Sequence, residues 1–307
     1  MLEKGLVKMN KSDNLGNRLK TYEALTTSTM LMPSLPVYAR IDGRAFHTFC
    51  RGLNKPFCLE FVETMQEVTK FLVETTNARL GYVQSDEISL GWEFTEDTPF
   101  NGRLFKLQSV LASMATSKFV SYILDTYQNL YDDDNSDRII LNFPAYRLEQ
   151  FGIMADKVRK YFPSFDCRVF QVPSMVELAN CFLWRENDAY RNSVSMLAQA
   201  HFSHKDLQGK SSSEMQEMYY QKTGKNYNDL PKNLKRGSYY QRKLFEEELD
   251  EKTLAKIPEG KKPANNKVLR HRIVELNLPI MKKVKNKTGV YFYNEEPEFN
   301  KDNGDEG

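Results

Sequence analysis

The sequence has few of the features that mark a secreted, membrane-bound or zinc-stabilised protein. Its 307 residues include four cysteines, Cys50, Cys58, Cys167 and Cys181, with no CxxC pair among them. That excludes a metal-finger framework and fits a reducing compartment. Met1 to Lys20 is polar and has no apolar centre, so no signal peptide is expected. No apolar run approaches the ~20 residues that a membrane span needs. The expectation is a soluble, cytoplasmic protein without a membrane partner. Internal repeats are also lacking. Net charge is only +2, so total charge does not announce a polyanionic ligand.

Charge distribution says more. Lys232 to Lys287 carries 16 Lys or Arg against 7 Asp or Glu, whereas Thr288 to Gly307 carries 6 acids and one Lys. A basic block followed by an acidic tail suggests contact with phosphates, and reads equally as a solvated surface. The expected division is a catalytic domain over residues 1–205 and a smaller, helical and basic region over 206–307.

Residues 1–16 read as a loose leader. Asn17 to Thr27 has helical spacing, and Pro33 and Pro36 stop any continuation. Val37 to Ile41 reads as a strand, Leu59 to Ala78 as a long helix and Gly81 to Trp92 as a hairpin. Leu104 to Leu124 is a second long helix, residues 125–137 a surface loop, and Phe165 to Phe170 a further strand. Ser174 is positioned to cap a helix running to about Phe202, and Ser211 to cap another as far as Gln221. Strand, helix, two strands, helix, strand is the ferredoxin-like βαββαβ order. The expected fold is therefore α+β, a palm-like antiparallel sheet with helices on one face and the other face free for substrate.

Two carboxylates stand where this order places useful groups. Asp42 follows the first strand, in Arg40-Ile41-Asp42-Gly43-Arg44-Ala45-Phe46-His47. Asp86 falls at the tip of the hairpin, in Gln84-Ser85-Asp86-Glu87. Two such carboxylates suit a pair of divalent cations, and oxygen ligands beside phosphates favour magnesium. Other candidates read more simply. Asp132-Asp133-Asp134 belongs with solvated loop residues, and His201 and His204 with a surface pair. Tyr239-Tyr240-Gln241-Arg242-Lys243 reads either as an RNA-stacking run or as the edge of an amphipathic helix.

The R-x-D-G-R-x-F-H and Q-S-D-E runs resemble the tRNA-His guanylyltransferase family, which includes template-dependent relatives that repair tRNA 5′ ends. Lys55-Pro56, Phe165-Asp166 with Arg168, Trp184-Arg185, and Leu230-Pro231 with Lys235-Arg236-Gly237 extend the resemblance from about Leu19 to Tyr240. It implies 3′-to-5′ nucleotide addition using ATP, GTP and two magnesium ions, with tRNA as partner and a homotetramer as assembly. Asp42, the Gly43 carbonyl and Asp86 are then the metal ligands. Asp42, Gly43, Arg44, Ala45, Phe46, His47, Ser85, Asp86, Arg103 and Lys106 are the nucleotide-binding set. Lys55 joins Asp42 and Asp86 as a catalytic residue that helps activate the tRNA 5′ phosphate. Arg185, Asn192, Lys235 and Arg236 fall to the RNA substrate.

The family carries W-R-Q-x-D-x-H-x-N-N where this chain has Trp184-Arg185-Glu186-Asn187-Asp188-Ala189-Tyr190-Arg191-Asn192-Ser193. Tyr190 replaces the histidine and Ser193 the second asparagine, at positions associated with tRNA recognition. The expected activity is guanylylation of tRNA-His. The alternatives are template-dependent repair of truncated ends and a non-catalytic RNA-binding relative. A nucleotide cyclase would use the same palm, but the chain has no Gly-Gly-Asp-Glu-Phe-type tip.

Overall fold

The computed structural model describes residues 13–93, 99–135, 145–263 and 265–300. In chain order its elements are α1 (Asn14–Thr27), β1 (Val37–Gly43), α2 (Phe46–Phe49), α3 (Leu59–Thr76), β2 (Leu80–Gln84) and β3 (Glu87–Trp92). Next come α4 (Leu104–Asn135), α5 (Ala145–Tyr161), β4 (Phe165–Gln171), α6 (Met175–Gln199), α7 (His204–Leu207) and α8 (Ser212–Thr223). The last are α9 (Lys232–Arg236), β5 (Ser238–Glu248), α10 (Glu251–Leu254), β6 (Lys267–Leu276) and α11 (Lys287–Phe292). The strands form one antiparallel sheet in the order β4-β1-β3-β2-β5-β6.

The first four strands follow the expected order, and period-2 alternation explains how they sort their side chains. On β1, Val37, Ala39 and Ile41 join a core with Met65, Val68 and Leu72 of α3, Leu111 and Phe119 of α4, and Phe151 and Met154 of α5. Tyr38 points the other way, into a second core with Leu80, Tyr82, Leu178, Phe182, Tyr239, Tyr291 and Phe292. Helices α3 and α4 thus cover one face as expected, and α5, an unexpected helix, packs there with them. The opposite face is not left free. Leu178 and Phe182 of α6 and the α11 segment cover much of it, because its tyrosines are as buried as the aliphatics on the first face.

Four more expectations need correction. Asp13 caps α1, its carboxylate accepting from the Gly16 amide at 2.7 Å, so the helix begins inside the supposed leader. Helix α4 continues through residues 125–135, where a loop is expected, and Asp132 accepts a hydrogen bond from Gln128 one turn earlier. Residues 136 and 137 of that stretch lie outside the described residues. Helix α5 has no counterpart in the sequence reading. Tyr239-Tyr240-Gln241-Arg242-Lys243 is neither a helix edge nor an RNA-stacking run but part of a strand. Tyr239 and Tyr240 are 2% and 0% exposed, one in each core.

β5 pairs with β2 through Gly81↔Tyr240 and Val83↔Ser238, so the C-terminal region continues the sheet of the N-terminal one. Gly237, at φ 74°, makes this approach possible. A Cβ there would lie 2.3 Å from the Val83 carbonyl oxygen.

Beneath the end of β1, Phe46, Phe49, Phe61, Phe119 and Phe165 interlock with centroid separations of 4.9–6.4 Å. Phe119 is fully buried and meets the other four rings. Phe119→Ala is expected to cost about 3–5 kcal/mol through lost transfer energy and the cavity left behind. Chemical denaturation of the variant beside the parent chain reads that loss directly.

Candidate active site

The site grows from the strand register. Asp42 on β1 lies opposite Glu87 on β3 and Asp166 on β4, so three acids stand in a row across three strands. Two residues back, the next row on the same face holds Arg40 and Arg168. Each flanking acid has a cation, with Arg40 at 3.8 Å from Glu87 and Arg168 at 3.8 Å from Asp166. Arg185 reaches across from α6 to Glu87 at 2.5 Å and to Asp188 at 2.9 Å. Among the described residues, Asp42 has no ion pair of its own. Burial and the neighbouring Asp166 raise its pKa, and the three nearby arginines only partly offset them.

Asp86 reaches the same place from the β2–β3 hairpin. Gln84 and Glu87 are paired, leaving Ser85 and Asp86 as a two-residue turn. Ser85 adopts φ 55°, the left-handed conformation such turns need. The Gly43 amide donates to the Asp86 carbonyl at 3.1 Å, which fastens the turn to the end of β1. Gly43 is fixed by space, since a Cβ would lie 2.5 Å from the Phe46 ring. Burial and the charge of Asp42 push the Asp86 carboxyl upward in turn.

Two cavities meet at this turn. One, of about 350 Å³, is largely apolar, with Phe46, Leu53, Phe57, Phe61 and Val83 in its wall together with the polar side chains of His47, Lys55, Ser85 and Asp86. The other is polar and holds Asp42, Asp86, Glu87, Arg185, Asn192 and Gln199. Gln84, Ser85, Asp86 and Met196 line both.

The structure therefore brings together Asp42, Gly43, His47, Lys55, Ser85, Asp86, Arg185 and Asn192. Arg44 and Ala45 are exposed on the turn after β1, Ala45 at φ 57°, while Phe46 is a core side chain that closes the cavity wall. Arg103 and Lys106 do not join them within one chain. The Leu104 amide donates to the Thr29 carbonyl, and Met32 contacts Gln171, so the start of α4 lies at the Val37 end of β1. Asp42 is at the other end, beside Phe165 and Thr116, three turns further along α4.

Lys235 and Arg236 also stay outside both cavities. Lys235 donates to the Asn228 carbonyl, and Arg236 lies 3.5 Å from Glu186, a buried carboxylate that also accepts from Tyr239 at 2.8 Å. Arg40, Glu87 and Asp166 are absent from the expected site set although all three lie in the quoted motifs. The signal for them is strand pairing, which puts them beside Asp42.

Among the described residues no three His, Cys, Asp or Glu side chains form a self-sufficient metal cluster. The donor set still fits magnesium. Burial and acidic neighbours disfavour the ionised forms of both carboxyl groups, a penalty that a hard cation between them would relieve, and magnesium completes its shell with phosphate oxygens.

A palm-like sheet presenting two carboxylates at a shared pair of cavities defines a nucleotidyltransferase-type domain. The family model described as "Thg1: tRNAHis guanylyltransferase" matches residues 16–173. The tRNA(His) guanylyltransferase of Schizosaccharomyces pombe is 28% identical over 243 residues, covering 75% of this chain and 81% of that protein. A solved bacterial tRNA(His) guanylyltransferase (Thg1)-like protein in complex with ATP superposes with a TM-score of 0.58 at 34% identity, covering 74% of this chain and 86% of its own. One in complex with GTP gives a TM-score of 0.57 at 30% identity, with coverages of 88% and 95%. The chain belongs to the tRNA-His guanylyltransferase family, a family of nucleotidyltransferase enzymes.

The raised pKa of Asp86 has a consequence for stability. A carboxyl whose folded pKa exceeds its unfolded value loses stability as pH rises between the two, so its ionised form costs stability at neutral pH. Asp86→Asn is expected to melt at a higher temperature than the parent at pH 7, with the gap closing below the ordinary carboxylate pKa. Thermal melts across pH 4–8 check the sign.

Proposed function

We propose that the chain adds nucleotides to tRNA 5′ ends in the 3′-to-5′ direction. The observation that carries this reading is the Gly43 amide to Asp86 carbonyl bond, which sets both acidic segments side by side at the mouth of two cavities. A two-substrate reaction needs room on both sides of the reacting phosphorus. The apolar cavity suits a nucleoside triphosphate, its base among Phe57, Leu53 and Val83 and its phosphates toward His47, Lys55 and Ser85. The polar cavity suits an RNA end, with Arg185 and Asn192 on its wall.

The reaction has three parts. The RNA 5′ phosphate attacks the α-phosphorus of ATP and releases pyrophosphate, giving an adenylylated end. The 3′-hydroxyl of GTP, or of another nucleotide, then attacks the activated phosphorus and displaces AMP. Pyrophosphate is finally removed from the new 5′ triphosphate. Lys55, in the wall of the apolar cavity with Ser85 and Asp86, would place a cation where phosphate charge accumulates. Asp42, the Gly43 carbonyl and Asp86 would hold two magnesium ions, which supply charge neutralisation and a lower pKa for the attacking hydroxyl. The Ser85 hydroxyl, in the wall of both cavities, would help orient the triphosphate, whereas Arg44 stays exposed on the turn after β1. Arg103 and Lys106 have no part in this arrangement within one chain. A homotetramer and a cytoplasmic location accompany this reading, the first checked by light scattering and the second by microscopy of the tagged chain.

One observation favours repair of truncated ends over strict guanylylation of tRNA-His. Ser193 is fully buried, its hydroxyl 2.6 Å from that of Tyr227 and donating to the Lys235 carbonyl at 3.1 Å. Tyr190 packs edge-on against Tyr227, beneath the Arg236 guanidinium, and its hydroxyl accepts from Gln216 at 2.7 Å. Both departures from the recognition run are thus spent on internal packing.

The test offers the protein ATP, the four nucleotides and magnesium with either of two labelled RNAs. One is tRNA-His lacking its extra 5′ G, and the other is a tRNA missing its first nucleotide. Extension chiefly of the truncated tRNA, with the nucleotide complementary to the opposite strand, is the expected result. Extension of tRNA-His alone returns the chain to guanylylation, and extension of neither overturns the reading. Asp86→Ala and Asp42→Ala are each expected to lower the transfer rate by at least about 10²-fold, of the order seen when a charge-stabilising group is lost.

A further inference from the structure

The chain has two tryptophans, and they sit in opposite settings. Trp92 is 4% exposed, belongs to the main core and donates its indole N–H to the Thr76 carbonyl at 3.0 Å. Trp184, on α6, is 47% exposed and belongs to none of the apolar cores among the described residues. Its ring neighbours are cations instead. The Arg185 guanidinium carbon lies 4.6 Å from the ring centroid and that of Arg40 lies 5.5 Å away. Both arginines are largely buried, at 13% and 17% side-chain exposure, and both are held by Glu87. The indole is therefore flanked by two ion-paired arginines while about half of its surface remains open. An exposed tryptophan forgoes the burial that usually keeps so large a side chain inside.

Its position gives the open surface a use. Arg185 and Glu87 line the same polar cavity as Asp42, and Arg40 is two residues from Asp42 on the same face of β1. On β4, Arg168 stands directly opposite Arg40 with its side chain 60% exposed, and Phe170 follows two residues on at 40%. Aromatic rings interleaved with guanidinium groups beside a phosphate-chemistry site form the kind of surface on which single-stranded nucleic acid stacks. It also leads away from Asp42 along the sheet, as a polymer does.

We propose that Trp184 is a base-stacking platform for the 5′-terminal nucleotide of the RNA substrate, with Arg168 receiving the neighbouring phosphate. This rests on the RNA-end reading above and adds a residue and a recognition mode to it. The incoming nucleotide is assigned elsewhere, to the apolar cavity beyond Ser85 and Asp86. A base on Trp184 orients the terminal phosphate toward Asp42 without reading sequence, because every base offers a π face.

Fluorescence separates this proposal from the activity it serves. With Trp92 buried, Trp184 is the tryptophan that a ligand on this surface would quench. The full-length protein is titrated with a short RNA hairpin carrying a 5′ phosphate and one unpaired 5′ nucleotide, with the same hairpin abasic at that nucleotide, and with ATP or GTP alone. The expected result is saturable quenching by the first RNA, little by the abasic RNA or the free nucleotides, and loss of the signal in Trp184→Phe. Trp184→Ala is expected to weaken binding of that RNA by about 5- to 100-fold while the abasic RNA binds both proteins alike. Arg168→Gln is expected to reduce the dependence of RNA affinity on salt.

Equal quenching by abasic RNA, or quenching by ATP or GTP alone, overturns the assignment. So does unchanged RNA affinity in a Trp184→Ala protein that melts like the parent. Binding is measured without turnover, so a protein that adds no nucleotide but shows the expected quenching fails the activity reading and keeps this one.

Discussion

The site depends on one backbone hydrogen bond, from the Gly43 amide to the Asp86 carbonyl. Strand β1 ends there and the β2–β3 turn is held there, so two carboxylates more than forty residues apart in sequence share one small volume. Bringing them together is unfavourable in itself, since burial and mutual repulsion raise both pKa values. The cost is sustained because the surroundings leave the backbone no alternative. Gly43 is pressed on the Phe46 ring, Phe46 is locked among four other phenylalanines, and the Arg44 amide is tied to the Ser164 carbonyl at 2.9 Å. The aromatic cluster under the site thus holds the charge pair in place, and function is favoured at some expense of stability.

The same face shows how charge is compensated selectively. Three acids lie across β3, β1 and β4, and the arginines one row back pair with the outer two. The central acid is left without an ion pair of its own among the described residues. A row of three pairs would have made a stable and inert surface. Arg185 adds a further clamp from α6, which couples the position of that helix to the acidic row.

Much of this was legible in the chain because it follows from local pattern. Val37 to Ile41 alternates and ends at Asp42, and Gln84 to Glu87 has a turn's polarity between apolar flanks, so strand, hairpin and both carboxylates could be placed. What escaped depends on partners distant in sequence. Tyr239 and Tyr240 are adjacent aromatics beside cations, which locally suggests an exposed run, yet each is claimed by a different core once β5 docks on β2. Helix α5 carries Phe151, Met154, Ala155 and Val158 at helical spacing, but Gly152 interrupts the pattern and weakens the signal. Arg103 and Lys106 have the charge for a phosphate site, and only the direction of α4 along β1 places them at its far end. Arg236 is paired with the buried Glu186 of α6, a partner that its own run does not announce.

The pairing of β2 with β5 also bears on how the chain is made. Gly81 to Val83 leave the ribosome long before Ser238 to Tyr240, their partners in the finished sheet. At ordinary synthesis rates the interval is on the order of ten seconds. Throughout it, the hairpin bearing Asp86 has a bare edge, with unpaired backbone donors and acceptors open to any passing strand. The nascent chain is thus open to misassembly at the hairpin that later carries its chemistry. A chain cut short before Ser238 would keep that exposed edge permanently, with both carboxylates present.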